Sequence, residues 1–85
     1  LVYFHGGGCV IANLDVSEPS CRALANAAGC IVVSVAYRQG PEAPFPAAHD
    51  DASVATEWVV AHAREVGGDP ARVAVGGESA GGNLA

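Results

Sequence analysis

The sequence predicts an α/β domain built on a short parallel sheet. Three observations carry this. Apolar, β-branched runs at Leu1–Phe4, Cys30–Ala36 and Val73–Val75 alternate with helix-period segments between them. The middle run is apolar with almost no alternation, which predicts a strand covered on both faces, as in a parallel sheet. The last run flows into Gly76-Gly77-Glu78-Ser79-Ala80-Gly81-Gly82-Asn83, a strand-to-helix transition crowded with small residues.

Leu1–Phe4 is a short buried strand, and His5-Gly6-Gly7-Gly8 follows it at once. Cys9 to Asp15 reads as loop. Ser17-Glu18-Pro19 reads as a helix start, with a capping residue, an acid for the dipole and a proline in the first turn. That helix is expected to run to about Ala28, with Cys21, Leu24, Ala25 and Ala28 as its apolar stripe and Gly29 as its stop. Tyr37 to Pro46 is a loop stiffened by Pro41, Pro44 and Pro46, in which Arg38 and Glu42 are close enough in sequence to pair. A second helix is expected from after Pro46 to about Val66. Asp50 and Asp51 lie near its positive end, and Ala48, Ala52, Ala55, Val59, His62 and Val66 recur at helical spacing beside Trp58. Gly67-Gly68 and the turn Asp69-Pro70-Ala71-Arg72 lead into the third strand. No repeat, internal boundary or low-complexity tract is visible.

Composition narrows the function classes. The 85 residues are 51% apolar, which excludes disorder. The formal charge is −5, the acids are scattered, and the 4 basic residues form no patch, so nucleic acid and anionic membrane are not expected partners. No run reaches membrane-spanning length and no signal peptide is visible. The 3 cysteines, Cys9, Cys21 and Cys30, form no Cys-x-x-Cys, which argues against a disulfide framework or zinc site and for thiols in a reducing, cytoplasmic compartment. The sequence opens on an apolar run without Met and stops at a helix start, so residues 1–85 are expected to be part of a larger catalytic domain.

Two motifs carry chemistry. Gly77-Glu78-Ser79-Ala80-Gly81 has the pattern of a nucleophile elbow, where a serine is held on a sharp turn with its Oγ projecting from the tip. The spacing is steric in origin: a Cβ at Gly77 or Gly81 would collide with the neighbouring strand or helix. The helix starting near Ala80 turns free N–H groups toward an oxyanion formed at Ser79. His5-Gly6-Gly7-Gly8 directly after a strand permits a backbone whose N–H groups face a concave site, the second requirement of acyl transfer. Each motif alone also has a bland account, a capped turn or a flexible linker. Together and in this order they are much more specific.

With these residues in hand, the sequence resembles the hormone-sensitive lipase family of esterases, the bacterial family IV type of the α/β-hydrolase fold. The likeness rests on His5-Gly6-Gly7-Gly8, Tyr37-Arg38 with Pro41-Glu42, Phe45-Pro46-Ala47-Ala48 and Gly77-Glu78-Ser79-Ala80-Gly81-Gly82-Asn83. The resemblance implies a fragment of that fold, from oxyanion loop to nucleophile elbow: three parallel strands, the Leu1 strand in the middle, two crossover helices on opposite faces and the start of a third helix. It implies Ser79 as nucleophile and the N–H groups of Gly7, Gly8 and Ala80 as oxyanion hole. His5, Gly6, Gly77, Glu78 and Gly81 would support that machinery, and Tyr37, Arg38, Pro41 and Glu42 would brace the region behind it. No metal or organic cofactor is implied. The implied partner is a small-molecule ester of short to medium acyl chain.

Several positions depart from the family pattern. Glu78 stands where Asp is common, a feature frequent in type-B carboxylesterases, although the Arg38/Pro41/Glu42 loop argues for the first family. Gln39-Gly40 replaces a usual Leu-Ala, and Cys9 stands where an aromatic residue is common. The triad's Asp or Glu and its His should follow the serine, yet none lies after Ser79 here. His49 and His62 are placed on a helix expected across the sheet from the elbow, which disfavours either as base. The 85-residue polypeptide alone is therefore expected to be inactive and poorly stable. A non-catalytic binding protein on the same scaffold is the alternative from another class.

Overall fold

The computed structural model describes residues 1–85. Its elements are strand β1 (Val2–Phe4), helix α1 (Leu14–Ala28), strand β2 (Val33–Val35), helix α2 (Ala47–His62), strand β3 (Val75–Gly77) and helix α3 (Ala80–Leu84), with a 3-10 turn over Ala63–Val66. The sheet order is β2-β1-β3, all parallel, with Val2 opposite Val33 and Val75, and Phe4 opposite Val35 and Gly77. The expected topology, with the Leu1 strand central, is what the structure shows.

The central position of β1 explains its burial. Val2, Tyr3 and Phe4 are all buried, whereas β2 is only half-buried because it is an edge. The expectation that the whole Cys30–Ala36 run is strand buried on both faces is thus corrected: only Val33–Val35 pairs, and Ile31 is exposed. The third strand lies slightly later than expected, although the Val2 N–H still donates to Ala74 O at 2.8 Å.

Period-2 alternation along β1 splits the core. Val2 and Phe4 point to one face, where they pack with Tyr37, Ala48, Ala52 and Val59, against which Val33, Val35, Val73 and Leu84 also pack. This face carries both α2 and α3. Helix α1 packs on β2 from the other side, burying Ser17 and Cys21.

Helix α1 starts earlier than Ser17-Glu18-Pro19 suggests. Asn13 is the cap, its side chain accepting from the Val16 N–H at 3.2 Å, and Pro19 lies inside the helix. Leu24 and Ala28 are exposed, so the buried stripe is Ser17-Cys21 with half-buried Ala25. In α2 the buried positions are Ala48, Ala52 and Val59, joined by Ala63 of the 3-10 turn, while Val66 is exposed.

The Tyr37–Pro46 loop is held differently from the sequence expectation. Arg38 pairs with Asp51 in the first turns of α2, not with Glu42. Its Nη2 donates to Asp51 Oδ1 at 2.8 Å, its Nε donates to both carboxylate oxygens, and its backbone N–H donates to Oδ2 at 2.8 Å. This fork holds the Asp51 carboxyl below its ordinary range, the side-chain hydrogen bond being the main cause, and raises the guanidinium further.

Candidate active site

The turn after β3 is forced into its shape by crowding. A Cβ at Gly77 would lie 2.5 Å from the carbonyl oxygens of Gly81 and Phe4, and one at Gly81 would lie 1.9 Å from Phe4 O. No real Cβ approaches backbone that closely, so helix α3 can sit on the end of β1 only with glycine at both places. Between them, Ser79 has φ 51° and ψ −121°, outside the ordinary range for a residue with a Cβ. The Gly81 N–H closes the turn on Glu78 O at 2.8 Å. Ser79 is exposed and its hydroxyl makes no hydrogen bond within the chain.

The glycine loop leaves β1 on the same side. A Cβ at Gly6 would lie 3.2 Å from Glu78 O and 3.3 Å from Ser79 Cβ, so the two motifs touch. The loop then turns sharply through Gly7, φ 113°, whose Cβ would lie 2.2 Å from Ile11 O, and on through Gly8 and Cys9, also at positive φ. Gly7 O accepts the N–H groups of Val10 at 3.1 Å and Ile11 at 3.0 Å. The N–H groups of Gly6, Gly7 and Gly8 are engaged by no acceptor in the chain, and that of Ala80 opens helix α3, where no intrahelical acceptor is available.

Behind the loop lies a buried aromatic pair. His5, 1% exposed, stacks on Tyr37, 4% exposed, with ring centroids 4.5 Å apart and planes at 18°. Tyr37 Oη donates to His5 O at 2.6 Å, and His5 Nδ1 lies 2.6 Å from Gly6 O. Burial, with the Cys9 thiol as a lesser cause, pushes the Tyr37 hydroxyl up, so it stays a donor at neutral pH. Tyr3 is raised in the same way, by burial first and then by the Glu78 charge.

Two residues noted only as departures turn out to hold the loop's far end. The Gly40 N–H donates to Cys9 O at 2.7 Å, and Gln39 Nε2 donates to Ala12 O at 3.1 Å. Their role rests on tertiary contact with a segment nearly thirty residues earlier, and no local pattern announces it. Cys9 itself is half-buried and, with Val10, Pro44, Phe45 and His49, lines an apolar groove beside the loop.

The histidine placement needs a correction. His49 does not lie across the sheet from the elbow: α2 and α3 share a face, and His49 Nε2 is 3.1 Å from Asn83 Oδ1. The reason is topological. The β2-to-β3 crossover passes over β1 and lands on the side that the helix after β3 also takes. His62 is turned back on its own helix, stacked on Trp58 with Nδ1 2.8 Å from Trp58 O. None of His5, His49 and His62 is hydrogen-bonded to Ser79. Cys9, Cys21 and Cys30 are free thiols, and no helix is long and apolar enough to cross a membrane.

Known proteins resemble this chain in sequence and fold. A family profile described as the alpha/beta hydrolase fold matches residues 1–85. Esterase LipI of Mycobacterium tuberculosis is 54% identical over 85 residues, covering 100% of this chain and 27% of its own. The ethyl acetate hydrolase of Pseudomonas putida is 47% identical over 85 residues, with the same coverage, 100% and 27%. The solved structure of a hyperthermophilic esterase from Pyrobaculum calidifontis superposes with a TM-score of 0.97 at 50% identity, covering 99% of this chain and 28% of that one. The chain thus spans about a quarter of the length of the curated relatives it matches. These relatives are esterases, in agreement with the resemblance to the hormone-sensitive lipase group, and the chain belongs to the α/β-hydrolase fold family.

Proposed function

We propose that the protein is a serine carboxylesterase whose nucleophile is Ser79. The observation that carries this reading is the contact between Gly6 and Ser79, which brings the unengaged amides of the glycine loop beside the exposed hydroxyl. Ser79 Oγ attacks the ester carbonyl. The N–H groups of Gly7, Gly8 and Ala80 receive the developing oxyanion. The alcohol leaves, and water then hydrolyses the acyl-enzyme to release the acid. The histidine that takes the Ser79 proton, and the carboxylate that orients it, come from outside residues 1–85, because His5, His49 and His62 are all committed to other partners. Residues 1–85 thereby supply the nucleophile and oxyanion half of a catalytic domain.

The substrate is a small ester of short to medium acyl chain. The ethyl acetate hydrolase among the relatives supports the short end of that range. Cys9 and Phe45 border the groove beside the loop, where the bound ester is best placed to contact them.

The test is the full-length protein with a series of p-nitrophenyl esters and a fluorophosphonate probe. Turnover and probe labelling are expected, with both lost in Ser79→Ala. A folded protein that binds the ester but neither turns it over nor takes the probe would be a binding protein on an esterase scaffold, and this reading would fail.

A further inference from the structure

We propose that Tyr37 and His5 act as a pair of positioning residues for the glycine loop, His5 directing the Gly7 amide of the oxyanion hole and Tyr37 fixing the peptide that precedes it. The inference rests on the esterase reading above and names how that site is held. Three consecutive carbonyls of the glycine loop each have an assigned acceptor role. His5 O takes the Tyr37 hydroxyl at 2.6 Å. Gly6 O faces His5 Nδ1 at 2.6 Å. Gly7 O takes the Val10 and Ile11 amides.

A carbonyl can only accept, so His5 Nδ1 carries the hydrogen and the ring is a donor to its own neighbour's backbone. The only cis bonds in the chain precede Pro41 and Pro46, so the peptides of this loop are trans. In a planar trans peptide the C=O and N–H vectors point in opposite directions. Fixing His5 O therefore fixes the Gly6 N–H away from Tyr37. Fixing Gly6 O fixes the Gly7 N–H away from the imidazole. Fixing Gly7 O fixes the Gly8 N–H away from Val10 and Ile11. All three amides are left without an acceptor of their own in the chain.

The loop needs such a device. Its glycines have little intrinsic conformational preference, and a donor that swings costs reorganisation at the moment of reaction. Two of the three anchors are side-chain groups of one stacked pair, and the pair is buried, which strengthens both bonds and keeps water from competing for the same carbonyls. Tyr37 thus acts on catalysis without touching the substrate: it acts through His5 and the peptide planes that follow.

The experiment uses the full-length protein. Tyr37→Phe keeps the ring and its stack and removes only the hydroxyl. Its kcat on a p-nitrophenyl ester is expected to fall about tenfold, less than the 10²- to 10³-fold typical of deleting an oxyanion donor outright, with KM within about twofold. Amide hydrogen exchange across residues 5–12 is expected to accelerate in the variant. His5→Gln is the second variant, expected to show the same split, and it decides the matter should Tyr37→Phe not fold. Wild-type kcat and wild-type exchange in a folded variant overturn the proposal. So does a fall in kcat that merely tracks a smaller fraction of titratable Ser79, which marks a structural loss. If the wild-type protein hydrolyses no ester, it is the esterase reading that has failed. Exchange across residues 5–12 still rules on the anchoring: acceleration in Tyr37→Phe supports it, and unchanged exchange overturns it.

Discussion

Gly81 meets the carbonyl oxygen of Phe4 so closely that a methyl group on its α-carbon would lie 1.9 Å from that oxygen. The last residue of the central strand and the first turn of the last helix are therefore in backbone contact, with Gly77 completing the same junction. This contact seats Ser79 beside the glycine loop, because His5 and Gly6 continue directly from Phe4.

Gly81→Ala is accordingly expected to disrupt the elbow. The obstructing atoms are backbone on β1, which cannot rotate away as a side chain would. The cost should reach or exceed the upper end of the roughly 1–3 kcal/mol usual for overpacking. Thermal denaturation of the full-length protein checks this. A variant with an unchanged midpoint would mean that the junction is looser than its geometry implies.

Ser79 separates stability from function. Its φ of 51° and ψ of −121° impose a strain of about 1–3 kcal/mol on a residue with a Cβ. Ser79→Gly is expected to raise the melting temperature while turnover drops by about 10⁴-fold or more, because Ser79 is the proposed nucleophile. Ser79→Ala loses the same activity but retains the strain, so it should melt near the wild-type temperature. Ordering the three proteins by melting temperature tests the relation, and a Ser79→Gly protein no more stable than Ser79→Ala would contradict it.

The features legible in the sequence share one property: their signal is contained in a few adjacent residues. The three apolar runs gave a parallel sheet, and Gly77-Glu78-Ser79-Ala80-Gly81 gave a strained turn, because those patterns are local and each has few alternatives. Arg38 shows the opposite case. Glu42 is its nearer acid in sequence, but the loop folds back so that α2 presents Asp51 to both the side chain and the backbone N–H of Arg38. His49 departs from its expected face for a related reason: the face taken by a crossover depends on which strand it skips. The start of helix α1 is decided by competition between caps. Ser17-Glu18-Pro19 looks like the stronger start, yet Asn13 supplies the oxygen that the Val16 N–H uses, and the helix accepts the bond lost at Pro19.

The Asn13 cap can be removed cleanly. Asn13→Ala takes away the acceptor of the Val16 N–H at an exposed helix start. A loss of about 1 kcal/mol of stability is expected, with kcat and KM unchanged. Chemical denaturation reads the stability. No loss would mean that water satisfies the Val16 amide equally well, and that some other interaction sets the start of α1.

The Arg38–Asp51 fork predicts how acid affects the protein. Arg38 hydrogen bonds hold the Asp51 carboxyl below its ordinary value of 3.8 in the folded state, while in the unfolded chain it titrates near that value. A depressed folded-state value means that the unfolded state binds the proton more readily. The contribution is therefore fully present above the unfolded value and is lost as pH falls through the lower folded one. Asp51→Asn removes the titrating group. The wild type is expected to be the more stable of the two at pH 7, and the gap should narrow only once pH drops below about 4. The pair is partly solvent-exposed, so added salt should shrink the gap at neutral pH as well. Denaturation midpoints of both proteins across pH 3 to 7 give the comparison. A gap that already closes between pH 6 and 5 would assign the acid sensitivity to a group other than Asp51.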